Sequence, residues 1–354
     1  MWIENKLFLQ DLEELAQIDY IPWDKLENTT VLVTGATGLI GYNLVCGLAY
    51  ADIKKSLNMN IRALVRDKNR ATEKYAALLK EYKALSFIEG RVEDLPIIEG
   101  EIDFIIHGAS PTASLYFIEH PVETIKTAVN GTMNMLELAV DKSVKGFVYL
   151  SSMEIYGSPK TEDVLTEKDL GYMDPLNVRN CYPESKRLCE SLCASYAQEY
   201  NLPVMSVRLA QTFGLGVDKD DKRVFAEFAR CAMKGEDIVL LTDGKSKRCY
   251  LYTMDAVSAI LTVLLKGEAG QAYNAGNPET YCSILEMAEL VARELGENLV
   301  TVTISENKDK CKKFSLPHFY NLGIGKIREL GWGARKRLLE MYINMIEVIK
   351  RDRI

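Results

Sequence analysis

The stretch TVLVTGATGLIG, residues 30–41, constrains this chain more than any other. A β-branched apolar run leads into Gly35, Gly38 and Gly41, spaced G-x-x-G-x-x-G, and a long apolar segment follows to Tyr50. That order reads as a strand, a tight turn and a helix. The glycines let the backbone turn sharply and approach a pyrophosphate, whose charge the helix N-terminus holds. A Gly-rich turn alone is weak evidence, and its plain alternative is a turn with no ligand. Its strand–turn–helix setting, repeated down the chain, makes dinucleotide binding the expectation.

Further strands are predicted at 61–65, 85–90, 103–110, 146–152 and 203–210, with helices between them at 122–142 and 182–200. Strands alternating with helices specify right-handed crossovers and a parallel sheet covered on both faces. The predicted class is α/β, a Rossmann doubly wound parallel sheet with a smaller C-terminal substrate-binding lobe. Residues 1–27 read as an N-terminal helical extension preceding the fold, 28–215 as the dinucleotide-binding domain, and 216–354 as mainly the substrate lobe. The lobes are expected to interleave, because a strand-like CYLYTMDAV and a helix return late in the chain. On helix 182–200, Leu188, Leu192 and Tyr196 share one face, which serves either the core or an interface.

Forty-three basic and 50 acidic side chains give a net charge of −7, which argues against a general nucleic-acid or anionic-membrane binder. No stretch reaches the roughly 20 apolar residues of a membrane helix, and the first residues carry acids and lack a signal-peptide core. Eight cysteines without a CxxC pair suit reduced thiols and a cytoplasmic setting. Cys189 and Cys193 read as buried thiols on a core stripe, and no metal site is expected.

Two further constellations carry chemistry. The second strand ends in Arg66 followed by Asp67, so a cation for a 2′-phosphate and a carboxylate for ribose hydroxyls stand side by side. Arg66 leans the cofactor toward NADP over NAD, with stacking on adenine as its alternative role. Tyr182 and Lys186 share a helix face about thirty residues after a strand that ends in Ser151 and Ser152. An ammonium beside a phenol favours the phenolate and so suits a base. Alone, Y-x-x-x-K arises by chance in many helices.

Taken in order, GATGLIG, HGASP, NGTMNMLELA, SSMEIYG, YPESK, VRLAQTFGLG, GKSKRCYLYTMDA and AYNAGNPETY resemble the extended short-chain dehydrogenases/reductases of the nucleotide-sugar epimerase/dehydratase group. The likeness runs from Val31 to the ELGW at 329–332 and is strongest to UDP-glucuronate decarboxylases, with dTDP-glucose 4,6-dehydratases next. It implies that Tyr182 takes the proton of the sugar 4-hydroxyl, that Lys186 holds the ribose and tunes Tyr182, and that Ser152 binds the reacting oxygen. Glu154 matches a catalytic glutamate of decarboxylases and dehydratases, against the alternative of a solvated carboxylate at a strand end. Thr37, Leu39, Ile40, Val92, Asp94, Ala109 and Ser110 would join the glycines, Arg66, Asp67 and Lys186 around an NAD or NADP that is tightly held and recycled. Pro111, Met153, Arg179, Gln211, Arg223, Val224 and Arg248 would contact a nucleotide sugar, most similar to a UDP-sugar. A homodimer is implied as well.

Departures sharpen this. Met153 stands where dehydratases carry an acid, and a thioether has no proton to give, so dehydration is disfavoured. Ala128 replaces a family asparagine, with Asn130 two residues on, and Gln211 replaces another. The expected activity is decarboxylation of a UDP-glucuronate-like substrate through transient C4 oxidation. The alternatives are a 4-epimerase, a 4,6-dehydratase, a 4-ketoreductase, or a catalytically silent dinucleotide-binding scaffold, which fold alone does not exclude.

Overall fold

Buried apolar runs set the layers of the structure, a computed structural model that describes residues 5–112, 114–159, 161–305 and 317–351. Strands β1 (Thr30–Thr34), β2 (Asn60–Val65), β3 (Leu85–Glu89), β4 (Phe104–His107), β5 (Gly146–Ser152) and β6 (Val204–Leu209) form the main sheet. The second sheet holds β7 (Gln211–Phe213), β9 (Lys247–Tyr252), β11 (Asn277–Ser283) and β13 (Phe319–Tyr320), while β8 (Ile238–Leu240) pairs with β12 (Val302–Ile304). β10 (Ala272–Ala275) returns to the main sheet, whose order is β10-β6-β5-β4-β1-β2-β3. Every neighbouring pair in it is parallel. The order reverses between β1 and β4, and ligands of such sheets bind in the crevice at that switch. All residues of β4 and β6 are buried, as a sheet covered on both faces requires.

The helices, in chain order, are α1 (Lys6–Ala16), α2 (Leu39–Lys55), α3 (Lys68–Lys74), α4 (Ala76–Glu81), α5 (Ser114–Glu119), α6 (Pro121–Asp141), α7 (Cys181–Tyr200), α8 (Val224–Lys234), α9 (Thr253–Lys266), α10 (Ile284–Leu295), α11 (Gly325–Glu329) and α12 (Leu338–Arg351). One face of the main sheet packs on α2 and α9, the other on α6 and α7. In α7, Cys189 and Cys193 are buried. Leu188 is half-exposed, and Leu192 and Tyr196 lie partly buried against the core.

Three details differ from the sequence expectations. The first helix does not merely precede the fold, because Phe8, Leu12 and Leu15 are fully buried against α2. A Cβ at Gly47 would come within 2.6 Å of Leu15 Cδ2, so glycine permits this close approach. β4 stops at His107 rather than 110, because the Thr34 hydroxyl accepts the backbone N–H groups of Gly108 (3.2 Å) and Ala109 (3.1 Å) and turns the chain out of the sheet. The late strand ends at Tyr252, and the residues of TMDAV form the first turns of α9.

α1 also brings a carboxyl into the core. The Tyr252 hydroxyl donates to Asp11 Oδ2 (2.5 Å) and accepts from Asn344 Nδ2 (2.9 Å), joining α1, β9 and α12. Burial lifts the Asp11 carboxyl from 3.8 to about 7 against the pull of Tyr252. Between those two values the folded chain holds a proton that the unfolded chain has lost, so stability falls as pH rises through that window. Asp11→Asn should remove up to about 1.4 kcal/mol per pH unit of that decline between about pH 5 and pH 7. Denaturant unfolding at the two pH values measures it; an unchanged slope in the variant would show that Asp11 is not the group responsible.

Candidate active site

At the switch point, β1 runs into the glycine turn. Gly35 has φ +70°, and a Cβ there would lie 2.6 Å from the Gly108 carbonyl oxygen. A Cβ at Gly41 would lie 2.2 Å from the Gly35 oxygen. Only glycine fits either place. Gly38 caps α2 with no side-chain hydrogen bond, which leaves the first-turn N–H groups of the helix without a side-chain cap. This is a cradle shaped for a pyrophosphate, and the residues present fit a dinucleotide.

The neighbouring positions spread around that turn. The Thr37 carbonyl accepts Lys74 Nζ at 2.8 Å. Arg66 is exposed beyond β2. Asp67 caps α3, its carboxylate accepting the Arg70 N–H at 2.9 Å. Val92 is buried and its carbonyl is taken by Asn134 Nδ2 (2.9 Å), whereas Asp94 is exposed. Ala109 and Ser110 are half-buried at the end of β4, with Ser110 donating to the Pro111 carbonyl.

β5 and α7 assemble the second half. Ser152 caps the short 3-10 turn Met153–Tyr156, accepting the Glu154 N–H at 3.2 Å. Tyr182 is buried, and its phenol is pushed up by desolvation first and by the Glu154 charge next; the Ser152 hydroxyl and Arg179 pull it down. Lys186 donates to the Leu150 carbonyl (2.7 Å) and lies over the rings of Tyr149 (4.6 Å) and Tyr182 (5.7 Å). Burial brings its ammonium down from 10.5 to about 8. The ammonium stands over the phenol ring and gives one of its three N–H donors to a backbone oxygen.

Glu154 pairs with Arg179 at 2.9 Å, both partly exposed. Arg248 lies on β9 beside Tyr320 of β13. His318 and Tyr320 each lie within electrostatic reach of Glu154, Arg179 and Arg248, so these groups lie close together. Among the described residues, the buried Arg248 Nε–H has no acceptor. Gln211 opens β7, half-buried and opposite Tyr250. Arg223 is held by Asp221 (2.5 Å) at the start of α8, where Val224 is exposed. Met153 belongs to the hydrophobic core, and Ala128 packs on α7, its carbonyl accepting the Cys189 thiol.

A profile described as the NAD dependent epimerase/dehydratase family matches residues 31–276. UDP-glucuronic acid decarboxylase 6 of Arabidopsis thaliana is 32% identical over 315 residues, 88% of this chain and 86% of the relative. The chain belongs to the NAD-dependent epimerase/dehydratase family. UDP-glucuronic acid decarboxylase 3 of the same plant is 31% identical over 317 residues, covering 88% and 86% of the two chains. Among solved structures, a dTDP-glucose 4,6-dehydratase of Streptomyces venezuelae with NAD bound superposes with a TM-score of 0.75 at 25% identity, covering 92% of this chain and 98% of that one. The UDP-glucose 4-epimerase of Thermotoga maritima, with a TM-score of 0.74, 21% identity and coverage of 92% and 100%, shares the fold. The expectation of an NAD-dependent nucleotide-sugar enzyme on a Rossmann fold is met by these relatives.

Sequence reasoning passed over two groups that hold the site together. Glu190, one turn after Lys186 on α7, accepts from Ser151 (2.5 Å) and pairs with Arg208 of β6 at 2.7 Å. Arg208 in turn bonds the Tyr156 hydroxyl (3.0 Å) and the Glu167 carbonyl (2.7 Å). Removing one partner of a buried pair strands the other charge, at about 3–5 kcal/mol. Arg208→Met should lose that much in denaturant unfolding, and Arg208→Met/Glu190→Met less. A single variant within about 1 kcal/mol of wild type would mean the pair is not structural.

Proposed function

We propose that this enzyme decarboxylates a UDP-glucuronate-like nucleotide sugar through transient oxidation at C4. The observation that supports this reading most is an open donor at the catalytic end. Glu154 is already paired with Arg179, while the Arg248 Nε–H, near the same His318 and Tyr320, has no acceptor among the described residues. A guanidinium donor left open suits a substrate carboxylate, which it binds by charge-assisted hydrogen bonds. The likeness to decarboxylases points the same way.

In this reading Tyr182 removes the proton of the 4-hydroxyl, and Ser152 holds that oxygen. When bound, the nicotinamide supplies reversible oxidation at C4. A C5 carboxylate beside a C4 ketone is a β-keto acid and loses carbon dioxide readily. Arg179 holds the Glu154 side chain in place through their 2.9 Å contact. The buried Met153 offers no acid for a departing hydroxyl, which weighs against dehydration. Residues 28–215 serve the cofactor and 216–354 mainly the substrate, with β10 shared. The seven described cysteines stand as free thiols, in keeping with a reducing cytoplasmic setting. A homodimer through the partly apolar α6–α7 face, where Leu188 and Ile125 are exposed, belongs to the same reading; sedimentation as a monomer would remove it.

A preference for NADP is included. Asp67 is committed to the α3 cap, while exposed Arg66 and Lys74 on the glycine turn supply cations. NADP should bind at least about tenfold tighter than NAD, a difference of about 1.4 kcal/mol, and equal affinities would end that part of the reading.

The main test is a panel of nucleotide sugars with product masses. UDP-glucuronate should lose the mass of carbon dioxide, and Tyr182→Phe should lower that turnover by about 10²-fold or more. Turnover of UDP-glucose to an isomer, with UDP-glucuronate untouched, would make the enzyme a 4-epimerase.

A further inference from the structure

Phe117 connects parts of the site that no motif links. It is the one buried side chain of α5, a six-residue helix between Pro111 and Pro121. Its ring stacks on Tyr182 with centroids 4.3 Å apart and planes 5° from parallel. The Arg179 guanidinium lies over the same ring at 5.0 Å from its centroid, and Arg179 carries the ion pair to Glu154. Two lesser contacts tie the same stretches together. The Cys181 thiol donates to the Phe117 carbonyl at 3.4 Å, and Arg179 Nη2 donates to Ser114 Oγ at 3.4 Å.

We propose that Phe117 is a positioning residue that clamps the Tyr182 phenol and the Arg179–Glu154 pair into one stacked unit. The reasons are geometric. A tyrosine can swing about its Cα–Cβ bond, which carries the phenol oxygen with it, and can tilt as α7 shifts. A parallel ring at van der Waals distance removes that freedom and fixes where the proton acceptor points. The guanidinium is held by a second weak attraction, ring face to cation, so Glu154 inherits its aim from the same aromatic. A helix as short as α5 cannot hold its own shape in water, and its Leu115 and Ile118 are exposed. The ring that orders the site therefore also seats α5. None of this needs Phe117 to touch substrate.

The proposal rests on Tyr182 as the base but not on which sugar is turned over. Phe117→Leu keeps an apolar filler and removes the ring; Phe117→Tyr keeps the ring. With UDP-glucuronate as probe, Phe117→Leu should lower kcat by about tenfold or more, since small misplacements of catalytic groups cost up to about 10²-fold. KM for the sugar and the affinity for the nicotinamide cofactor should stay within about twofold, and Phe117→Tyr should restore kcat. A Phe117→Leu enzyme with kcat within twofold of wild type would overturn the proposal. So would a loss of kcat matched by a loss of cofactor binding, or a Phe117→Tyr enzyme as slow as the leucine variant. If wild type leaves UDP-glucuronate unchanged, the decarboxylase reading fails alone, and the same comparison is made with UDP-glucose, whose 4-hydroxyl meets the same base.

Discussion

The buried ion pair between Arg208 and Glu190 is the contact on which the rest of the site depends. Its side chains are 7% and 12% exposed, so neither charge is left to water. Through Ser151 it fixes the end of β5, and through Glu190 it fixes the helix that carries Tyr182 and Lys186. Through Arg208 it reaches Tyr156, whose hydroxyl donates to Asn274 Oδ1 (2.6 Å) on β10. Asn274 in turn bonds the Leu165 and Gly323 carbonyls. One network thus spans β5, α7, the edge strand β10 that returns from the second lobe, and the loops at Leu165 and Gly323. A buried network of this kind stabilises only when every member is satisfied, which is why its loss propagates to the chemistry.

The electrostatics of the site follow from burial more than from pairing. Tyr182 is buried and its phenol is held up by desolvation, while Lys186 is brought down to about 8 by the same cause. His107, at the end of β4, is brought down to about 3 by burial and by Lys186. It stays neutral between the Thr34 and Thr132 hydroxyls. The histidine of HGASP is therefore a packed joint between β1, β4 and α6 and carries no charge into the cleft. The charged side chains near Glu154 are Arg179, its ion-pair partner, and Arg248, which acts on the same His318 and Tyr320.

How far the sequence could be read depended on the range of each signal. Gly35 and Gly41 were legible because a tight turn writes its requirement into adjacent residues, and Tyr182 and Lys186 because helical spacing puts them on one face. The strands of the main sheet were legible because burial on both faces makes them continuously apolar. α1 was misjudged: its amphipathic pattern says that it packs on something, but not that α2 is what it covers. Phe117 was missed because a lone aromatic in a short segment has no periodicity, and only tertiary structure sets it against Tyr182. Arg208 and Glu190, eighteen residues apart on different elements, look in sequence like any two charges. Arg223, a cation read from its position, is held by Asp221 in the folded chain, a partner two residues away that sequence alone does not single out.

The central claim is that the sugar is oxidised at C4 and then reduced there again by the same hydrogen. Turnover of UDP-glucuronate deuterated at C4 tests it most directly, with the product examined for its isotope and its position. The account predicts that the deuterium returns to C4, that turnover slows with a primary isotope effect, and that no reduced cofactor accumulates. Carbon dioxide released with the label lost to solvent, or with no involvement of the C4 hydrogen, would contradict it.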